Sequence, residues 1–177
     1  MNTKSKPVIN TERLCLRPIS HQDKEDMIAI LTNHEISKTY MIPVFKSDEE
    51  KLQLFEKFKD LSQSDRHFVY GIYLKEKIIG FINETECSET EIELGYVIHP
   101  DHQNKGYATE VLQASIKTLF SLGYHAVTAG AFAENPASMR VMEKCQMTRI
   151  SKEDTILYRG CNHRCIYYRK ENDLFPA

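Results

Sequence analysis

Apolar positions along the chain follow two periods, and the switches between them divide it into elements. Thr11 to Pro18, TERLCLRP, sets Leu14 and Leu16 between polar neighbours, which is the period of a strand that Pro18 stops. Ser20 to Asn33 places Met27, Ile28 and Leu31 three and four apart behind an acidic first turn, and so predicts a helix. Lys51 to Leu61 repeats that spacing with Leu54, Phe55, Phe58 and Leu61. Between the two, Ile36 to Lys46 follows neither period.

Phe68 to Leu74 and Ile78 to Asn83 read as strands joined by the charged Lys75-Glu76-Lys77, a hairpin by spacing. Glu91 to His99 reads as another strand, ended by Pro100. From Tyr107 the period turns helical, with Ala108, Val111, Leu112, Ser115, Leu119 and Leu122 on one face and Gly123 placed to cap it. Ala126 to Ala133 is a strand of small residues, and Asn135-Pro136 opens a helix running through Cys145. Thr155 to Tyr158 and Cys165 to Tyr168 read as short strands flanking RGCNHR, a last hairpin in which Tyr167 and Tyr168 pack. This order predicts the α/β class, with a mixed, mostly antiparallel sheet flanked by helices. No repeat or Pro/Gly/Ser linker interrupts the chain, so a single domain is expected over residues 1–177, with its core at about 11–168.

Composition narrows the partners. With 177 residues, 41% of them hydrophobic, the chain is long enough to bury a core. A net charge of -2 and a pI of 6.4 supply no general attraction to nucleic acid or to an anionic membrane. The first residues, MNTKSKPVIN, lack the apolar core of a signal peptide, and no apolar run approaches the roughly 20 residues that span a bilayer. A cytoplasmic protein is expected, with Cys15, Cys87, Cys145, Cys161 and Cys165 as reduced thiols. The pattern is compatible with a homodimer.

The most informative stretch is His99 to Glu110, HPDHQNKGYATE, where a strand passes through a short loop into a helix. The first amides of a helix have no intrahelical partner, and the helix dipole makes that end positive, so such a junction can hold phosphate. Gly106 would let the backbone approach an anion, Ala108 leaves room, Thr109 offers a hydroxyl and Lys105 a charge. The same residues also suit an ordinary tight turn in which Gly106 merely relieves strain. Neither GxxxxGK[ST] nor GxGxxG is present.

Gln103-Asn104-Lys105-Gly106-Tyr107-Ala108 resembles the (Gln/Arg)-x-x-Gly-x-(Gly/Ala) loop of the GNAT acetyltransferases. TERLCLRP, IELGYVIHPDHQNKGYATE and NPASMRVMEKCQM resemble, in the same order, segments of the ribosomal-protein N-acetyltransferase (RimJ/RimL-like) branch. The likeness spans Thr11 to about Tyr168. It implies a single GNAT-like domain with splayed central strands, acetyl-CoA as cosubstrate bound at Gln103 to Thr109, and a primary amine, on a protein N-terminus or a small molecule, as acceptor. It also implies that a backbone N–H near Val97 or Ile98 polarises the thioester carbonyl, and that Asn135 and Ser138 contact the cofactor. Tyr40, Met41 and Phe45 fall in the segment that lies over the acceptor in that family, although packing explains them equally well.

Two positions depart from the family. Gln146 stands where Gly is usual, which bears on the cap of the preceding helix. Thr155 to Tyr158 lacks the glutamate some members carry before the last hairpin. Glu93 is the preferred general base, with a solvated charged face as the alternative, and Ser138 is the group that could protonate the leaving thiolate. Asn135 and Ser138 would also serve as a plain helix start. Glu91 is a weaker candidate on the Glu93 face. Cys161-Asn162-His163-Arg164-Cys165 lacks a second ligand pair, so no metal is expected. A non-catalytic CoA-binding or sensing module is the rival reading.

Overall fold

The protein, described from residue 6 to residue 175 in a computed structural model, opens with a tight turn instead of one long strand. The Thr11 N–H donates to the Leu14 carbonyl and Thr11 Oγ1 accepts from the Leu14 N–H, both at 2.9 Å. These bonds fold β1 (Ile9–Asn10) back onto β2 (Cys15–Arg17), so the strand expected from Thr11 to Pro18 shrinks to three residues. The reading of the first ten residues lies partly outside the described residues, at 1–5.

A single 3-10 turn at His21–Asp23 leads into α1 (Lys24–Leu31). After the irregular segment comes α2 (Asp48–Gln63). It starts three residues before the apolar period does, because its first turn is polar and held by caps: Ser47 Oγ accepts from the Glu50 N–H at 3.2 Å, and the Glu50 carboxylate accepts from the Lys46 N–H at 2.6 Å. The hairpin β3 (Val69–Leu74) and β4 (Lys77–Cys87) turns at Lys75, whose φ is 55°. β4 runs four residues past Asn83, through Glu84 to Cys87, where polar side chains conceal the strand from a reading by hydrophobicity.

Next are β5 (Glu91–Ile98), α3 (Tyr107–Ser121), β6 (Ala126–Phe132), α4 (Pro136–Lys144), β7 (Thr148–Tyr158) and β8 (Cys161–Glu171). On α3 the buried face is Val111, Leu112, Ser115, Ile116 and Leu119. Leu122 does not belong to it: the helix ends at Ser121, Gly123 turns the chain at φ 96°, and Leu122 is left 62% exposed. The last hairpin is far longer than its apolar residues suggested. Arg159 (φ 50°) and Gly160 (φ 80°) form the whole connection, as in a two-residue turn with both φ positive, and the rest of RGCNHR is strand.

The hydrogen-bonded strand order is β1-β2-β3-β4-β5-β6-β8-β7. β5 runs parallel to β6, whereas β1–β2, β2–β3, β3–β4, β6–β8 and β7–β8 are antiparallel, giving the mixed, mostly antiparallel sheet expected. The chain forms two compact units, one running up to Asn83 with Tyr96–Tyr107 added, the other made of Glu84–Gly95 and the chain from Ala108. In the first, α1 and α2 bury Met27, Ile30 and Phe55 with Tyr73 and Phe81. In the second, Val111, Leu112 and Leu119 of α3, Val127 and Ala129 of β6 and Ile166 of β8 are buried. Among the described residues no helix is long and apolar enough to cross a membrane. None of the five cysteines is in a disulfide.

Candidate functional site

The loop after β5 is pinned at several points. The His99 N–H donates to the Ile79 carbonyl at 2.7 Å, and Pro100–His102 form one 3-10 turn. Gln103 turns its side chain back, Nε2 donating to the Ile98 carbonyl at 2.8 Å, and Lys105 Nζ donates to the Asp101 carbonyl at 2.8 Å. Asn104 (φ 59°) and Gly106 (φ 82°) are both left-handed, and α3 begins at the next residue, Tyr107. Left-handed residues suit loops whose N–H groups can face an anion, and the first amides of a helix such as the 15-residue α3 have no intrahelical partner. Burial, with Lys105 beside it, holds His102 below the usual imidazole range.

Arg13 completes this loop, and sequence reading did not find it. Its Nη1 donates to the Lys105 carbonyl at 2.9 Å, and its guanidinium lies 4.6 Å from the Tyr107 ring centroid. A β-carbon on Gly106 would come within 3.3 Å of Arg13 Nη2. Arg13 projects from the Thr11–Leu14 turn and meets the loop 92 residues away, so no local pattern announces it.

β5 and β6 pair in parallel from Glu91↔Ala126 to Leu94↔Ala129. Beyond Leu94 the inside/outside alternation of β5 fails: Gly95 and Tyr96 are both half-buried, and Val97 and Ile98 are both buried. Val97 joins the core of the first unit and so does not continue the polar face of Glu91 and Glu93.

Glu93 is partly buried and has two side-chain partners. Its side chain is 16% exposed; Oε1 accepts from Thr85 Oγ1 at 2.9 Å, and Oε2 lies 3.4 Å from Lys152 Nζ. That ammonium sits 4.1 Å from the Tyr167 ring centroid. Burial and hydrogen bonds with Cys165 and Asp154 keep the Tyr167 hydroxyl protonated far above its ordinary range. Glu91 is instead held by Arg169, whose Nη1 and Nη2 donate to its two oxygens at 2.9 and 2.8 Å and keep it below the usual carboxylate range. β7 does carry carboxylates upstream of Thr155: Glu153 pairs with Arg149, and Asp154 meets Tyr167.

Asn135 caps α4, its Oδ1 accepting from the Ser138 N–H at 3.2 Å. At the other end, Gln146 keeps the left-handed cap at φ 60° despite its β-carbon, and Lys170 Nζ donates both to its Oε1 at 3.1 Å and to the Cys145 carbonyl at 3.0 Å. The Cys145 thiol, pushed up to about 11 by burial, donates to the Thr109 carbonyl at 3.6 Å and ties this helix end to the first turn of α3. Residues 103–107 are thus gathered with Arg13, Thr109 is joined to Cys145, and Asn135 meets Ser138.

Of the acceptor candidates, Tyr40 stands edge-on to Phe81 at 5.4 Å and donates to Asn83 Oδ1 at 2.7 Å, while burial raises its hydroxyl well above the phenol range. Phe45 packs against the same core, and Met41 is 52% exposed. Among the described residues no cluster of three or more His, Cys, Asp or Glu is placed to hold a metal ion.

Residues 13–148 match the family model described as an acetyltransferase (GNAT) domain. The uncharacterized N-acetyltransferase YoaA of Bacillus subtilis (strain 168) is 32% identical over 143 residues, covering 78% of this chain and 81% of that protein. The fold superposes on an acetyltransferase (GNAT family) from Bacillus anthracis with a TM-score of 0.81 at 25% identity, over 94% of this chain and 99% of that one. It superposes equally well, at 16% identity and over 94% and 99% of the chains, on the RimL ribosomal L7/L12 alpha-N-protein acetyltransferase in complex with coenzyme A.

Proposed function

Because the chain belongs to the GNAT acetyltransferase family, we propose that it transfers the acetyl group of acetyl-CoA to a primary amine of a protein N-terminus or a small molecule, with Glu93 as general base. The observation that carries this reading is the loop at 103–107: two left-handed residues, Asn104 and Gly106, directly before a long helix and beneath the Arg13 guanidinium. Backbone N–H groups, Lys105 and Arg13 together suit a pyrophosphate.

Acetyl-CoA supplies an acyl group already activated as a thioester; the rest falls to the chain. Val97 turns its carbonyl, and His99 its N–H, toward β4, so strand alternation directs the Ile98 N–H to the opposite edge. That amide is the oxyanion donor in this reading. Asn135 holds the start of α4, and Ser138 on its first turn is the proton donor for the thiolate.

The test is an assay of CoA release over a panel of alkylamines and peptide N-termini, run with Glu93→Gln. The variant should lose about 100-fold or more in kcat and keep its acetyl-CoA affinity. Undiminished turnover would move the base elsewhere. Binding of acetyl-CoA with no transfer to any acceptor would leave a CoA-binding module.

A further inference from the structure

The cluster around Glu93 contains a cation that acetyl transfer does not explain. In the β7–β8 ladder Arg149 stands opposite Tyr168 and Glu153 opposite Ile166, so Ile150, Ser151 and Lys152 together face Tyr167 alone. Those two extra residues make a bulge, and a bulge re-aims a side chain. Here Lys152 is sent onto the Tyr167 ring and the Glu93 carboxylate, with 41% of its side chain exposed. The surroundings are built to receive it. Gly130 lies opposite Tyr167 in β6, and a β-carbon there would come within 2.7 Å of the ring's Cε1, so the ring takes its position only over glycine. Thr85 holds the carboxylate by its other oxygen, Oε1.

A carboxylate beside an aromatic ring is complementary to an alkylammonium ion. We infer that Thr85, Glu93 and Tyr167 form the acceptor's ammonium site, and that Lys152 is a tethered occupant which the acceptor displaces. Because the present occupant is a methylene-ammonium on an unbranched chain, the site selects acceptors of the form R–CH2–NH3⁺ over the branched α-amine of a protein N-terminus. This rests on Glu93 being the base. Once the acceptor is seated, its ammonium gives one proton to Glu93. The freed lone pair forms the C–N bond as the C–S bond breaks, Ser138 gives its hydroxyl proton to the thiolate and is reprotonated by the second proton of the nitrogen, and Glu93 returns its proton to water. The sum is one acetyl transferred and one proton released.

The experiment measures KM and kcat for butylamine and sec-butylamine by CoA release. Lys152→Met keeps an unbranched side chain, one atom shorter, and removes the charge, so KM for butylamine should fall ~5-fold, the worth of a partly exposed ion pair and cation–π contact. Lys152→Arg should hold KM at or above that of the unmodified enzyme, Tyr167→Leu should raise it, and butylamine should have the higher kcat/KM of the two amines. An unchanged or raised KM in Lys152→Met, with melting temperature preserved, makes the pair an ordinary structural ion pair and overturns the inference. Glu93→Gln separates the two ideas. If it keeps full turnover, the base assignment fails; if it loses turnover while Lys152→Met leaves KM alone, only the ammonium site fails. Should neither amine be acetylated, tyrosine-ring NMR signals titrated with butylammonium chloride must still show Tyr167 perturbed, at lower concentration in Lys152→Met. A silent Tyr167 overturns the inference.

Discussion

A β-carbon on Gly80 would lie 2.0 Å from the Val97 carbonyl oxygen, so β5 crosses position 80 at a distance that only glycine allows. The approach is set by an irregularity in β4. Ile72 pairs with Gly80 and Tyr73 with Ile78, which leaves Ile79 as the extra residue, and its carbonyl takes the His99 N–H. Gly80 and Ile79 together fix where β5 ends and the 103–107 loop begins.

Replacing Gly80 with Ala should therefore cost stability and disturb the cofactor loop at once. Overpacking against backbone is worth about 1–3 kcal/mol. Urea unfolding should show that loss, and calorimetry a weaker acetyl-CoA affinity. A variant with normal stability and affinity would mean that β5 shifts freely.

Gly106→Asp combines a positive φ of 82° with a negative charge at the helix start, and Arg13→Ala removes a guanidinium without touching the backbone. Calorimetry should show acetyl-CoA affinity reduced on the order of 10-fold or more for Gly106→Asp and several-fold for Arg13→Ala, a charged hydrogen bond being worth about 1.5–3 kcal/mol at most. Unchanged binding in both would place the pyrophosphate elsewhere.

Gln146→Gly should stabilise the protein. A left-handed β-carbon costs roughly 1–2 kcal/mol, partly offset because glycine gains entropy in the unfolded chain and Lys170 loses its bond to Oε1. A net gain of about 0.5 kcal/mol is expected from denaturant midpoints. A loss would show that the Lys170 contact outweighs backbone strain.

Glu91→Gln tests the Arg169 pair through pH. Arg169 depresses the carboxyl's folded pKa, so the pair's stabilisation is fully present above the ordinary glutamate value of 4.5 and is lost as pH falls through the lower folded pKa. Melting temperatures of parent and variant should differ at pH 7 and converge as the pH is lowered past the ordinary carboxylate range. A difference independent of pH would assign the effect to packing.

The apolar periods, Gly106 and the order of the segments were readable from the chain alone, because a helix start, a tight turn and an alternating strand are written in residues only a few positions apart. Strand ends at 84–87 and across β7 were not readable: polar strands are held by ladder hydrogen bonds, which leave no hydrophobic trace. The partners of the site also lay beyond the sequence. Arg13 reaches Lys105 across 92 positions, Lys152 reaches Glu93 across 59, and Gly80 owes its necessity to Val97 on the neighbouring strand. Local composition therefore determined which elements form and which loop suits an anion, while strand pairing, including one bulge in β4 and another in β7, decided which charges meet there.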